Sequence, residues 1–138
     1  MEKLLELVLH KDPPSADQWL KEAKQASGAP QEGMFLLHNG VVRRTPKAQV
    51  RAGVEDGGPV REMDFSFDAA GVREAIRETG AMEGIWCVKV WLNQGRLQVG
   101  DDIMYVLIGG DIRHRVIDAL QFLVEWIKTR CVTETEIR

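Results

Sequence analysis

The stretch at residues 109–130, GGDIRHRVIDALQFLVEWIKTR, decides the predicted fold. Its apolar residues recur with a period near 3.6, which predicts an amphipathic helix over about 112–130 with one buried face. These residues are Val116, Ile117, Leu120, Leu123, Val124 and Ile127. Polar side chains occupy the other face of the predicted helix. Because an apolar stripe must be buried against another element, we expect this helix to cover a sheet.

The rest of the chain alternates short strands with two further helices. Alternating or β-rich patterns predict strands near 3–10, 33–43, 63–67, 85–92, 96–99 and 102–108. Capping signals predict helices at 16–27 and 69–79. Residues 44–59 contain two prolines and three glycines and are predicted to form a long mobile loop. The order predicts one α+β domain over 1–138, a two-layer sandwich with a largely antiparallel mixed sheet covered by helices.

Composition excludes several classes of protein. The chain has 138 residues, of which 44% are hydrophobic and 28% charged, and its net charge is −3. This balance is typical of a soluble globular domain and disfavours a general nucleic-acid or membrane-surface role. Acidic residues interrupt the apolar N-terminus, unlike a signal peptide. The two cysteines, Cys87 and Cys131, are far apart, so we expect a cytoplasmic protein with neither a structural metal nor a resident cofactor.

Two interpretations of the helix start remain open. Gly109 and Gly110 could let an anion approach the backbone N–H groups, with Arg113 and Arg115 adding cationic side chains. Alternatively, Asp111 caps an ordinary strand-to-helix turn and fills the anion position itself.

Other cations follow the second predicted strand and end the last helix. Arg43, Arg44, Lys47 and Arg51 form a basic start to the long loop, which is either solvated or an electrostatic lid over an anionic substrate. Lys128 at the helix end either complements the helix dipole or is a functional amine whose pKa a pocket would lower.

The ordered motifs resemble the large, catalytic subunit of molybdopterin synthase over residues 33–130. Three stretches carry the resemblance: Gly40-Val41-Val42-Arg43, Gly95-Arg96-Leu97-Gln98-Val99-Gly100-Asp101, and the helix that ends in Lys128-Thr129-Arg130. The resemblance implies a homodimer that binds a small ubiquitin-like sulfur-carrier subunit. The partner's C-terminal Gly-Gly tail carries a thiocarboxylate, and its sulfur passes to a cyclic pyranopterin monophosphate.

Carried over by position, the resemblance assigns three site residues. Arg43 and Arg113 match the family's substrate-binding arginines, and Lys128 matches its first active-site lysine, so we expect them to serve a shared pocket. The chain departs from the pattern at Ile112 and Leu92, where the family has histidines, and at Thr135, where it has a second lysine.

These departures keep three hypotheses open. The first is a synthase large subunit or a divergent relative, which transfers sulfur. The second is a non-catalytic paralogue that still binds a Gly-Gly-tailed ubiquitin-like partner. The third is a structural homodimer whose basic loop is merely solvated.

Overall fold

Two sheets and three α-helices form the part of the chain that the computed structural model describes, residues 2–47, 50, 53 and 58–138. The strands are β1 (Leu4–Val8), β2 (Met34–Val41), β3 (Glu62–Phe67), β4 (Ile85–Leu92), β5 (Gly95–Gln98), β6 (Asp102–Gly110) and β7 (Val132–Ile137). The helices are α1 (Ala16–Gln25), α2 (Ala69–Gly80) and α3 (Arg113–Trp126). A 3₁₀ turn spans Ala29–Gln31, and a π-helical turn spans Ile127–Cys131.

The strands divide into a four-stranded and a three-stranded sheet. The larger sheet has the order β1-β4-β6-β2, with β1 parallel to β4 and the other pairs antiparallel. The smaller sheet is antiparallel and has the order β5-β3-β7. The predicted α+β class with largely antiparallel mixed strands is confirmed. In the described residues, no helix is long and apolar enough to cross a lipid bilayer.

Helices cover both faces of the four-stranded sheet. On one face, Val116, Ala119 and Leu123 of α3, together with Ile127 of the π-helical turn, are fully buried against strand residues and α2. On the other face, Trp19 and Ala23 of α1 pack with Cys87, Trp91 and Leu107. A fully buried Leu or Ile side chain contributes about 1.5–3 kcal/mol, so the α3 stripe firmly fixes this helix on the sheet.

The buried Lys89 anchors α1 electrostatically. Its ammonium lies 3.0 Å from the Glu22 carboxylate, 3.9 Å from that of Glu6, and 4.8 Å from the centre of the Trp19 ring. Buried cations need such partners because an unpaired charge in a protein interior is costly. Lys89 therefore has a structural role.

The C-terminal end of the last helix differs from the prediction. The predicted helical segment to about residue 130 is present, but its last turn is π-helical: α3 ends at Trp126, the π-helical turn continues to Cys131, and the chain then enters β7. Residues 132–137 alternate β-branched side chains with glutamates and pair along their whole length with β3. Strand β7 was not predicted from the sequence, because the edge of β3 with which it pairs is a tertiary feature.

The glycine pair before the helix also has another role than predicted. Gly109 and Gly110 are the last residues of β6 and pair with both β2 and β4. The residue that precedes the first helical residue is Ile112, which has no side-chain acceptor, so the prediction of Asp111 as the cap was wrong. The Asp111 carboxylate instead accepts a hydrogen bond from Arg115 (2.7 Å). Close packing explains both glycines: a Cβ on Gly110 would lie 2.8 Å from the Gly84 carbonyl oxygen, and one on Gly109 would meet the side chains of Glu32 and Phe35.

Gly109→Ala tests this packing role. Its new Cβ would lie 2.7 Å from the Phe35 ring and against the Glu32 carboxylate, so we expect a loss of about 1–3 kcal/mol in the free energy of unfolding. Gly40→Ala, also in a strand, is the control, because its Cβ would meet Met104 at an ordinary 3.5 Å. Urea denaturation measures both variants. Equal stability of the two would contradict the packing role.

Candidate functional site

A cavity of about 580 Å³ lies where the end of α3 meets both sheets. Its volume is within the range of small-molecule sites. Its lining includes the apolar side chains Val41, Met63, Ile103, Met104 and Val124, and it also includes charged or polar side chains. Those side chains are His38, Arg43, Lys47, Lys128, Glu134 and Glu136. The cavity can therefore hold a partly apolar ligand with an anionic group.

Arg43 reaches the cavity because β2 ends just before it. The N–H of Val42 donates to the Asp101 carbonyl (2.9 Å), and the Val42 carbonyl accepts from the Gly100 N–H (2.8 Å), so the chain is held at the end of the strand. The Nε of Arg43 donates to the Thr45 carbonyl (3.0 Å). This bond uses the inner nitrogen and leaves the outer fork of the guanidinium for a ligand.

Lys128 lies in the π-helical turn, where its side chain is half-buried beside β7. Its ammonium donates to one carboxylate oxygen of Glu134, and the Lys47 ammonium lies 3.5 Å from the other oxygen. Burial alone would raise the pKa of Glu134, but the two lysines outweigh burial and lower it. Glu134 is therefore ionised at neutral pH and neutralises part of the cationic cavity wall.

His38 on β2 is a cavity residue that sequence reasoning missed. Burial, and after it the positive charge of Lys128, lower the pKa of His38, so the imidazole is neutral at pH 7. A neutral imidazole can accept or donate a proton. Its sequence context does not indicate a cavity, because a lone histidine within an apolar strand has neither ligand nor catalytic spacing.

The structure brings only some of the predicted cations together. Arg43, Lys47 and Lys128 line the cavity, whereas Arg44 is exposed outside it. Arg51 lies outside the described residues. Arg113 is exposed at the other end of α3, on the order of 20 Å from Lys128 at about 1.5 Å of rise per helical residue. Within one chain, Arg113 and Lys128 therefore do not share a pocket.

The position of the missing second lysine faces away from the cavity. Thr135 is exposed on β7, pairs with Asp64 of β3, and borders a separate shallow depression with Arg96. Glu134 and Glu136, on either side of it, point into the cavity. Because side chains alternate along a strand, a lysine at position 135 would also point away.

Metal ligands do not cluster in the described residues. No group of three or more His, Cys, Asp or Glu side chains there could hold a metal ion. The titratable side chains that the structure describes at the cavity are two lysines, one arginine, one histidine and two glutamates.

The profile of the MoaE protein family matches residues 9–130 of the chain. This chain belongs to that family. Membership implies a role in molybdenum cofactor biosynthesis, and the resemblance to the molybdopterin synthase large subunit is thereby confirmed. A comparison with curated proteins finds no match.

Solved structures share the fold at low sequence identity. Molybdopterin cofactor biosynthesis protein E from Burkholderia multivorans ATCC 17616 superposes with a TM-score of 0.72 and 15% identity, covering 98% of this chain and 84% of that one. Molybdopterin synthase from Staphylococcus aureus superposes with a TM-score of 0.69 and 17% identity, covering 99% of this chain and 93% of that one. The complex of subunits 1 and 2 of molybdopterin-converting factor from Helicobacter pylori 26695 gives a TM-score of 0.62 and 16% identity, covering 97% of this chain and 82% of the matched chain.

Lys128→Gln tests the electrostatic coupling across the cavity. Because the Lys128 ammonium disfavours the imidazolium, its removal is expected to raise the pKa of His38, while burial still holds that pKa below its usual range. An NMR titration of the His38 ring measures the change. Lys47→Gln is the control and is expected to leave the pKa of His38 unchanged. An equal response to both substitutions would contradict a specific Lys128–His38 interaction.

Proposed function

We propose that this chain is the large subunit of a molybdopterin synthase. In the proposed synthase reaction, sulfur passes from the thiocarboxylate of a small subunit to cyclic pyranopterin monophosphate. The convergence of Arg43, Lys47 and Lys128 on one cavity with an apolar wall is the observation that supports the proposal. A pterin phosphate needs both features, an apolar surface for the ring system and cations for the phosphate.

Each cation has a distinct proposed role. Arg43, at the rigid end of β2, holds the substrate phosphate with the free fork of its guanidinium. Lys128 acts at the carbonyl end of the small subunit's Gly-Gly tail, where acyl transfer develops negative charge. Its ammonium stabilises that charge or donates a proton to it.

The proposed partner is a small ubiquitin-like sulfur-carrier subunit. The similar Helicobacter pylori structure is a complex of subunit 1 and subunit 2 of molybdopterin-converting factor, which supports a two-subunit assembly here. The thiocarboxylate tail of the small subunit would enter the cavity, where Lys47 and Lys128 offer opposite charge.

We also propose that the protein is a homodimer and that Arg113 acts across its interface. Arg113 is exposed and about 20 Å from the Lys128 cavity of its own chain, so it can contact the substrate phosphate only from a second copy. A C₂ dimer would then contain two equivalent sites, each built from both chains.

Reconstitution of the reaction tests the proposed activity. The chain is mixed with a thiocarboxylated small subunit and cyclic pyranopterin monophosphate, and the dithiolene product is measured. Lys128→Ala is expected to lower the rate by about 10²–10³, the usual effect of removing one transition-state contact. Lys24→Ala, on the exposed face of α1, is the control and is expected to retain the rate. Absence of product from the unmodified chain, where an authentic large subunit is active, would refute the function.

Mixed dimers test the shared site. Arg113→Ala and Lys128→Ala chains are each expected to be nearly inactive alone. After random mixing, about half of the dimers are heterodimers with one intact site of two, so about a quarter of the activity returns. No recovery, with mixing verified by mass spectrometry, would place Arg113 outside a shared site.

A second candidate function is partner binding without catalysis. It is favoured by the Glu134–Lys128 ion pair, which neutralises the proposed functional amine, and by the outward-facing Thr135. Calorimetric titration with the small subunit separates the candidates. A complex without dithiolene formation supports the binding module, and absence of any complex excludes both functions.

A further inference from the structure

Glu134 bridges the two lysines of the cavity with one carboxylate oxygen each. Oε1 accepts from the Lys128 ammonium, and Oε2 lies 3.5 Å from the Lys47 ammonium. The Glu134 side chain is only 11% exposed, although it faces a cavity rather than the core. A bound carboxylate or phosphate would contact the same two lysines through two oxygens in the same way.

The backbone supports this bridge from both sides. The pairing of Glu134 with Phe65 in the β7–β3 ladder fixes its position in the sheet. The Lys47 N–H donates to Glu136 Oε2 (2.9 Å), which holds Lys47 at the cavity rim. Lys47, held through its backbone, and Lys128, in the π-helical turn, thus place two ammonium groups around one oxyanion position, which the Glu134 carboxylate fills.

The charges on the cavity wall show why this contact matters. Arg43, Lys47 and Lys128 carry three positive charges, and Glu134 and Glu136 carry two negative charges. Glu136 contacts the backbone N–H of Lys47, whereas Glu134 contacts ammonium groups. An incoming oxyanion therefore competes with Glu134 for the same two ammonium groups. Glu136 affects the oxyanion only by long-range electrostatic repulsion.

We propose that Glu134 is an internal substitute ligand, and that an external oxyanion binds between Lys47 and Lys128 by displacing its carboxylate. The displaced side chain leaves toward solvent, and both lysines exchange one carboxylate for the ligand. Glu134 thereby sets the affinity of the cavity for anions and excludes those that bind too weakly to displace it. The inference deepens the proposed synthase function, on which its biological ligand rests.

Anion titrations of two matched variants test the displacement. Glu134→Gln and Glu136→Gln remove the same charge from alternate positions of one strand on one cavity face. Binding of inorganic phosphate and of the dipeptide Gly-Gly is measured by calorimetry at constant ionic strength. The two probes separate a phosphate ligand from a carboxylate tail. We expect Glu134→Gln to bind at least one of them about tenfold more tightly than the unmodified chain, and Glu136→Gln to differ less than threefold.

Equal increases in anion affinity in the two variants would show that only the lost negative charge matters and would overturn the inference. No increase in affinity for Glu134→Gln would also overturn it. If Glu134→Gln does not fold, the unmodified protein provides the test. Saturation with the oxyanion is then expected to raise the pKa of Glu134, followed through its side-chain ¹³C resonance, because the carboxylate loses its lysine partners. An unchanged pKa would likewise overturn the inference.

These measurements need neither the small subunit nor turnover. A chain without synthase activity that shows the Glu134 effect would refute the proposed function and keep the displacement. An active synthase whose Glu134→Gln variant binds anions no more tightly would support the proposed function and refute the displacement.

Discussion

The burial of one stripe of α3 against the four-stranded sheet is the constraint on which the rest of the structure depends. Val116, Ala119 and Leu123 of α3, and Ile127 in the turn that continues it, are completely shielded from solvent, and large-to-small changes at such positions typically cost about 2–5 kcal/mol. Because the helix is rigid, fixing this stripe fixes both of its ends. Lys128 must then lie at the cavity, and Arg113 must lie about 20 Å away.

The turn after α3 positions the residues of the candidate site. The π-helical geometry at Ile127–Cys131 ends the helix and directs the chain into β7, which pairs with β3. The Asp68 N–H, which donates to the Cys131 carbonyl (2.8 Å), fixes the turn. The same turn positions Lys128 and brings the glutamates of β7 opposite it. The cavity therefore contains both the cations of an anion site and a carboxylate that neutralises them.

Local patterns predicted most of the elements correctly, because period and capping are properties of short segments. The strands at Ile85–Leu92 and Met34–Val41 and the helix at Ala69–Gly80 lie where alternation, β-branched residues and the Asp68 cap indicated. The errors occurred where a distant segment decided the outcome. Gly109 and Gly110 pair with two strands, and β7 forms on the edge of β3.

The candidate site shows the same division. Sequence by itself determined the fold class, through local periodicity, and it contained the motifs of the family resemblance, which assigned Arg43 and Lys128 by position. Only the tertiary structure decided that these two meet at one cavity, that Arg113 does not, and that His38 and Glu134 do. The physical reason is that a cavity is formed by side chains from several elements, and their convergence depends on packing angles and on the pairing of β7 with β3. A linear sequence contains no direct record of either.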